Sequence, residues 1–422
     1  MSVIVCLGAG VEGLPILARA KALGCRLVVV DGNPQAPGFA LADVAVVASC
    51  YDAAATVDAI NLGYHPDGVL CCAVDAPNVA AWVAQEFDLP GLTPTQAALS
   101  CDKFLQKRAL HAAGVPVPQF SEIALTSVKN VVVIDNSAKS DWPLDISGLV
   151  LKPIDNRGAR GVRLFKTPGT IFDSDVRGAR DASPSGRTMV ERYLTGPQFS
   201  TESLVQDGRI LWTGIALRNY DRLEEYAPHI IEDGYDAPNG EDDFRDQIEI
   251  LLERACRALD WYQTGGGVVK GDLVLHDGDL YIIELAARLS GGFLSTHGWP
   301  LAYGMPFVDY AIQAALGKPL YVTHGGMRQQ YVSQLYVFPK PEWIGRKVKD
   351  TEGAGTFSIE TAFYPVGCEF STIAIHEGDT IRPVTDHAAR LGQATTVGST
   401  PEQARARASA AVAAMRDGIA AE

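Results

Sequence analysis

The chain lacks any apolar run approaching the roughly 20 residues that a membrane-spanning helix needs; Leu27–Val30 and Val131–Ile134 are typical of its hydrophobic stretches. No bilayer partner is expected. Positive charge is scarce: 36 Lys and Arg stand against 50 Asp and Glu, a formal charge of −14, which repels a nucleic-acid backbone or an anionic membrane. No nucleic-acid partner is expected either. The eight cysteines (6, 25, 50, 71, 72, 101, 256 and 368) include no C-x-x-C pair, so the spacing that builds zinc and redox sites is missing. They read as reduced, mostly buried thiols. No basic stretch or A-x-A-like site flanks Val3–Leu7, which makes a cytoplasmic address the expectation. Repeats and low-complexity tracts are missing too; Ala404–Ala414 is a helix-forming stretch.

What is present is a globular composition, 47% hydrophobic and 20% charged over 422 residues, with room for about two to four domains. The first hundred residues alternate short apolar runs with helical patterns, the signature of βαβ units and a parallel sheet. Val3–Leu7 reads as the first strand, Arg26–Val30 as the second and Gly68–Cys72 as the third, with a helix at Pro77–Phe87. Pro90 and Pro94 then mark a boundary. From Lys103–Ala112, a helix closed by Gly114 and prolines, the pattern turns to short strand-like runs: Val131–Ile134, Leu149–Lys152, Gly161–Phe165, Thr188–Tyr193, Ser200–Gln206 and Ile210–Ile215. Phe244–Leu259 has helical periodicity. Val268–Leu275 and Asp279–Leu285, joined by His276-Asp277-Gly278, form an expected hairpin. Beyond residue 320 come Gln330–Phe338, Gly355–Tyr364 and an Ala-rich helix over Pro401–Ala420. The expected fold class is α/β with α+β: a Rossmann-like domain over 1–100, a central domain over 101–320 and a smaller α+β domain over 321–422.

Gly8-x-Gly10-x-x-Gly13 after a strand, with Asp31 following the second strand, satisfies the dinucleotide fingerprint. The same glycines equally serve a tight strand-to-helix turn or an anion-binding helix start. A stronger signal is four elements in fixed order. Leu149–Pro153 delivers Lys152 from a strand into the small-residue loop Asp155-Asn156-Arg157-Gly158-Ala159-Arg160-Gly161, whose backbone N–H groups can cover phosphates. Glu191-Arg192-Tyr193-Leu194 follows as a strand running into a linker, and Glu202 enters the next strand. Finally Asp272 and Glu284 sit on the two strands of the hairpin, where paired strands can hold two hard oxygen ligands for magnesium with a triphosphate. Each has a plain reading beside this one: surface lysines, solvated strand carboxylates, or a structural histidine at His297.

In this order, from Lys103 to Arg288, the residues resemble the ATP-grasp superfamily. The resemblance implies ATP and Mg2+ as cofactors. It implies that Lys103 and Lys152 hold ATP phosphates under the loop from Asn156 through Gly158 and Arg160 to Gly161. Glu191, Arg192, Tyr193 and Leu194 would line the adenine site, Glu202 would bind the ribose, and Asp272 and Glu284 would be the metal ligands. Arg288 and Lys152 are the expected catalytic residues, Arg288 steadying the transferring phosphate or the substrate carboxylate. Many members carry Asn two residues after the second acidic ligand; here it is Ala286, which bears on the number of metal ions. The stretch Glu284-x-x-x-Arg288-x-x-Gly291-Gly292 looks more like the L-amino acid ligases than the biotin carboxylases.

The implied activity is ATP-dependent joining of a small carboxylate and an amine through an acyl phosphate, with a homodimer as the expected assembly. Alternatives are an ATP-grasp ligase or carboxylase of purine or cofactor biosynthesis, a catalytically silent ATP-binding regulator, and an NAD-dependent dehydrogenase built on Gly8–Gly13 and Asp31.

Overall fold

The computed structural model describes residues 1–61, 63–123, 148–166, 171–238, 244–323, 330–351 and 369–422. The expected strands Val131–Ile134 and Gly355–Tyr364 fall outside these residues, as does Cys368. The seven described cysteines are free. The chain forms two compact units: the first from Met1–Val117, Phe199–Ile215 and Asp243–Met327, the second from Pro118–Gln198, Ala216–Asp242 and Arg328–Glu422. The chain passes repeatedly from one to the other, so the units cut across the linear three-part division. That division stands as a proposal.

The first unit contains a four-stranded parallel sheet in the order Val44–Val47, Arg26–Asp31, Val3–Leu7, Gly68–Cys71. Val5, Leu7, Val28, Val30 and Val69 are buried in one core with Val79 and Val83 of the helix Pro77–Glu86. Continuous apolar runs are what a strand covered on both faces requires. Gly68–Cys71 is thus the fourth strand, not the third. Val44–Val47, an apolar run that the strand count left out, is an edge strand in which only Val46 is buried. Gly8, at φ +98°, makes the turn out of the first strand, where a Cβ would stand 3.0 Å from the Cys72 carbonyl oxygen. Asp31 accepts the N–H groups of Ala9 (2.8 Å) and Asn33 (2.9 Å). Gly8, Gly13 and the acid serve this turn, whereas Gly10, at φ −70° with open space where a Cβ would stand, is not required by it.

The first unit also holds an antiparallel set in the order Asp279–Ala286, Gly266–His276, Gln198–Gln206 and the start of Arg209–Asn219. Asp277 and Gly278 both have positive φ (52° and 89°), as a two-residue hairpin turn demands. Gln106, on the helix Lys103–Ala112, donates to the Leu285 carbonyl (2.7 Å) and accepts the Leu285 N–H (2.8 Å). One side chain satisfies the backbone of the hairpin's outer strand and fixes the helix against it.

The second unit holds the sheet Phe120–Glu122, Thr188–Arg192, Leu149–Pro153, Arg163–Phe165. Its other layer runs from the end of Arg209–Asn219 through Gly234–Ala237, Tyr331–Val337 and Gly392–Gly398 to Phe370–Ile373. The helix Pro401–Asp417 packs Ala411 and Met415 with Val337 and Leu391.

Candidate active site

In the first unit, Asp272 and Glu284 stand directly opposite one another on the hairpin, at the separation of roughly 5 Å between Cβ atoms that cross-strand partners have. The register slips just past them, Leu273 pairing Ile282, a bulge of the kind that re-aims side chains beside a site. Asp272 accepts from Ser200 Oγ (3.1 Å) and lies 2.5 Å from Lys270 Nζ. Glu284 lies 3.1 Å from Lys103 Nζ. Lys103 is aimed by its place in the first turn of a helix whose cap, Asp102, accepts the Leu105 N–H at 2.8 Å. Burial works to lower the Lys103 pKa, but the charges of Glu284 and Asp75 and the Glu284 hydrogen bond outweigh it, so the net shift is upward.

Among the described residues no group of three or more His, Cys, Asp or Glu gathers for a metal. Two carboxylates suffice for magnesium, which keeps waters and takes its remaining oxygens from phosphates. The donor set fits that ion. Ala286, buried, occupies the position of the further ligand.

Arg288 follows the second hairpin strand and donates from Nε to Asp75 Oδ1 at 2.8 Å. Burial again opposes the charge, and the Asp75 carboxylate overrides it, moving the guanidinium pKa up. Asp75 follows the fourth strand of the parallel sheet at its carboxyl end, where open α/β sheets gather ligands. Sequence reading passed it over, although that position is itself a signal. Lys270, two residues before Asp272 on the same strand, is a second neighbour of the site that the sequence alone does not single out.

Glu202 is fully buried. Its carboxylate accepts from Ser290 N (2.7 Å), Ser295 Oγ (2.7 and 2.9 Å) and Trp299 Nε1 (2.6 Å). Both oxygens are engaged by the protein, which does not suit the expected ribose contact. Burial pushes its pKa up and these hydrogen bonds pull against it.

In the second unit, Lys152 and Glu191 lie on neighbouring strands in diagonal positions, Val150 being opposite Glu191. Their side chains meet at 2.5 Å, both buried. The loop that follows is braced on several sides. Asp155 accepts from Ser183 Oγ and Ser185 N, and Asn156 donates to the Ala182 carbonyl while accepting the Arg157 N–H. Gly158, Ala159 and Gly161 have φ of 63°, 57° and 73°, and the Arg160 and Val162 N–H groups close turns onto the Arg157 and Ala159 carbonyls (3.4 and 3.1 Å). At Gly161 a Cβ would come within 2.8 Å of Ala182 Cβ and 3.0 Å of Pro153 Cγ. Gly158 O accepts from the His387 N–H at 3.0 Å, a tether from the chain's last hundred residues with no sequence signal. Arg160 and Arg192 are exposed, Leu194 is buried, and Tyr193 N bonds Gly148 O at 3.1 Å. The named residues thus form two sets, Lys103, Asp272, Glu284, Arg288 and Glu202 in the first unit and Lys152 through Leu194 in the second.

Residues 100–292 match the ATP-grasp domain, and residues 366–416 match L-amino acid ligase C-terminal domain 2. The chain is 27% identical over 331 residues to the α subunit of a mitochondrial methylcrotonoyl-CoA carboxylase from Glycine max, covering 72% of this chain and 42% of that protein. It spans less than half the length of the first curated relatives it matches. An L-amino acid ligase structure from Bacillus licheniformis aligns over 100% of this chain and 98% of its own, at 20% identity and a TM-score of 0.73. The biotin carboxylase domain dimer of a Hydrogenobacter thermophilus 2-oxoglutarate carboxylase, solved with MgADP, ADP and bicarbonate, aligns over 99% and 90%, at 17% identity and a TM-score of 0.69. These likenesses are of fold. With the family match over residues 100–292 they carry the conclusion that the chain contains an ATP-grasp domain.

Proposed function

We propose that the chain is an ATP-dependent carboxylate–amine ligase of the L-amino acid ligase kind. The observation that carries this is the Asp272/Glu284 pair across one hairpin with Lys103 on Glu284, inside the segment matching the ATP-grasp domain. The match of residues 366–416 supports the amino acid ligase branch over the carboxylases.

In the reaction, a carboxylate oxygen of the acid attacks the γ-phosphorus of ATP and ADP leaves. The amine nitrogen then attacks the acyl carbon, phosphate leaves, and the amine gives its proton to water. Asp272 and Glu284 would hold magnesium, which would supply neutralisation of phosphate charge. Lys103 and Lys152 add fixed positive charge at the phosphates. The loop from Asn156 to Gly161 is proposed, on the family resemblance alone, as a further phosphate contact. Arg288, held by Asp75, orients the acid's carboxylate.

A second reading, an ATP-binding regulator, is favoured by Ala286 at the place of a metal ligand. Incubation with MgATP and pooled L-amino acids, reading ADP and product mass, separates the two. The ligase reading expects ADP together with an amide weighing one water less than its two components. Tight MgATP binding with neither product would contradict it. A homodimer and a cytoplasmic address are proposed alongside. Among the described residues no helix is long and apolar enough to cross a membrane, and a single 45 kDa species in light scattering would refute the dimer.

A further inference from the structure

Glu202 has the surroundings of a strut. It is fully buried, and all three of its hydrogen-bond donors belong to one stretch of chain, Ser290, Ser295 and Trp299. That stretch begins two residues after Arg288 and is unusual in itself. Phe293 adopts left-handed backbone at φ 59°, a conformation that a bulky residue keeps only when its neighbours impose it. A wide π-helical turn follows over Leu294–Gly298, and such turns concentrate at functional sites. Trp299 is wedged edge-on against Trp212, with ring centroids 6.0 Å apart at 77°. On the near side of Arg288, Ala287 N donates to Ser100 Oγ at 2.9 Å. The backbone is therefore pinned at 287 and again at 290, and Asp75 holds the guanidinium itself.

We infer that Glu202 is a positioning residue for the acid substrate, setting the turn that carries Arg288 and the segment to His297, and that it takes no part in binding the nucleotide. This rests on the ligase reading for Arg288's role. The physical basis is the matching of donors to acceptors. Two carboxylate oxygens accept from one backbone N–H, one hydroxyl and one indole N–H, none of which can turn away without leaving a buried polar group unsatisfied. Gln at this position keeps the shape but turns an NH2 donor toward another donor. The turn would then come loose at its far end while the hairpin carboxylates stay in register.

The test compares wild type with Glu202→Gln in the full chain. Affinities for MgATP and for the magnesium complex of 2′,3′-dideoxy-ATP are measured first. The ratio of the two affinities should be the same in both proteins. A ratio that falls toward unity in the variant makes Glu202 a ribose ligand and overturns the inference. Hydrogen exchange should quicken about tenfold in peptides spanning 287–299 and stay unchanged in those spanning 149–162. Unchanged exchange over 287–299 also overturns it. Where pooled L-amino acids drive ADP release, the half-saturating pool concentration should rise about tenfold with a smaller change in kcat. Should Glu202→Gln fail to fold, Ser295→Ala removes one donor, and exchange should shift in the same direction by a lesser factor. A wild type that binds neither nucleotide contradicts the ligase reading instead, and the exchange data then decide the role of Glu202 alone.

Discussion

Lys152–Glu191 in the second unit and Lys103–Glu284 in the first are the same chemical pair in two settings. The first is sealed, its side chains 6% and 5% exposed and 2.5 Å apart. The second is half open, at 12% and 27% and 3.1 Å. A sealed pair has no water to replace a lost partner, so each charge depends on the other. A half-open pair can exchange its partner for solvent or for a phosphate at little cost. One arrangement holds a lysine in a fixed place and the other leaves a carboxylate ready for a cation. Arg288–Asp75 falls between them in distance, at 2.8 Å, with exposures of 16% and 20% close to those of the half-open pair.

The comparison breaks if the sealed pair proves dispensable. Glu191→Ala should cost about 3–5 kcal/mol in denaturant unfolding, because it strands the Lys152 ammonium; a loss below about 1 kcal/mol would place water at the pair.

A half-buried group, His297, sharpens the point by titrating. Burial lowers its pKa to about 4, below the unfolded value of about 6.5. The unfolded chain therefore takes up the proton first, and stability present above pH 6.5 is lost as pH falls toward 4. The expected loss is roughly 3 kcal/mol, and His297→Gln should flatten that part of the stability profile.

For the intermediate pair, Asp75→Asn should cost about 1.5–3 kcal/mol, the range for a hydrogen bond to a charged group. It should also raise the concentration of amino acid pool needed for half-maximal ADP release. An unchanged requirement would separate Asp75 from substrate orientation.

The smallest effect belongs to the open pair. Lys103→Met should change stability by less than Glu191→Ala, because Glu284, at 27% exposure, keeps access to water, while weakening MgATP binding. The sign of its pH dependence follows from the raised pKa. The pair's contribution is complete below the unfolded lysine value of about 10.4 and is lost as pH climbs through the higher folded value.

The hairpin was legible in the sequence because a two-residue turn joins its strands by local rules, and the buried strand runs were legible because both faces are covered. The register slip between Leu273 and Asp272 that sets Asp272 opposite Glu284, where the turn alone would pair it with Ile283, was not. The partners that tune the site were not. Lys103 and Glu284 lie far apart in the chain, as do Arg288 and Asp75, and nothing local marks which lysine meets which acid. Glu202 shows the limit from the other side: a carboxylate entering a strand has the same pattern whether it faces a ligand or is closed over by Ser290, Ser295 and Trp299. The interleaving of the two units was hidden for the same reason, since domain reading proceeds along the chain and these units exchange segments.

The most direct test of the hairpin carboxylates is ADP release from MgATP with pooled L-amino acids, wild type against Glu284→Ala, with circular dichroism confirming that both are folded. The account predicts stimulated release in the wild type and none above background in the variant. Equal turnover in the two proteins would remove Glu284 from the site and with it the proposed place of the metal.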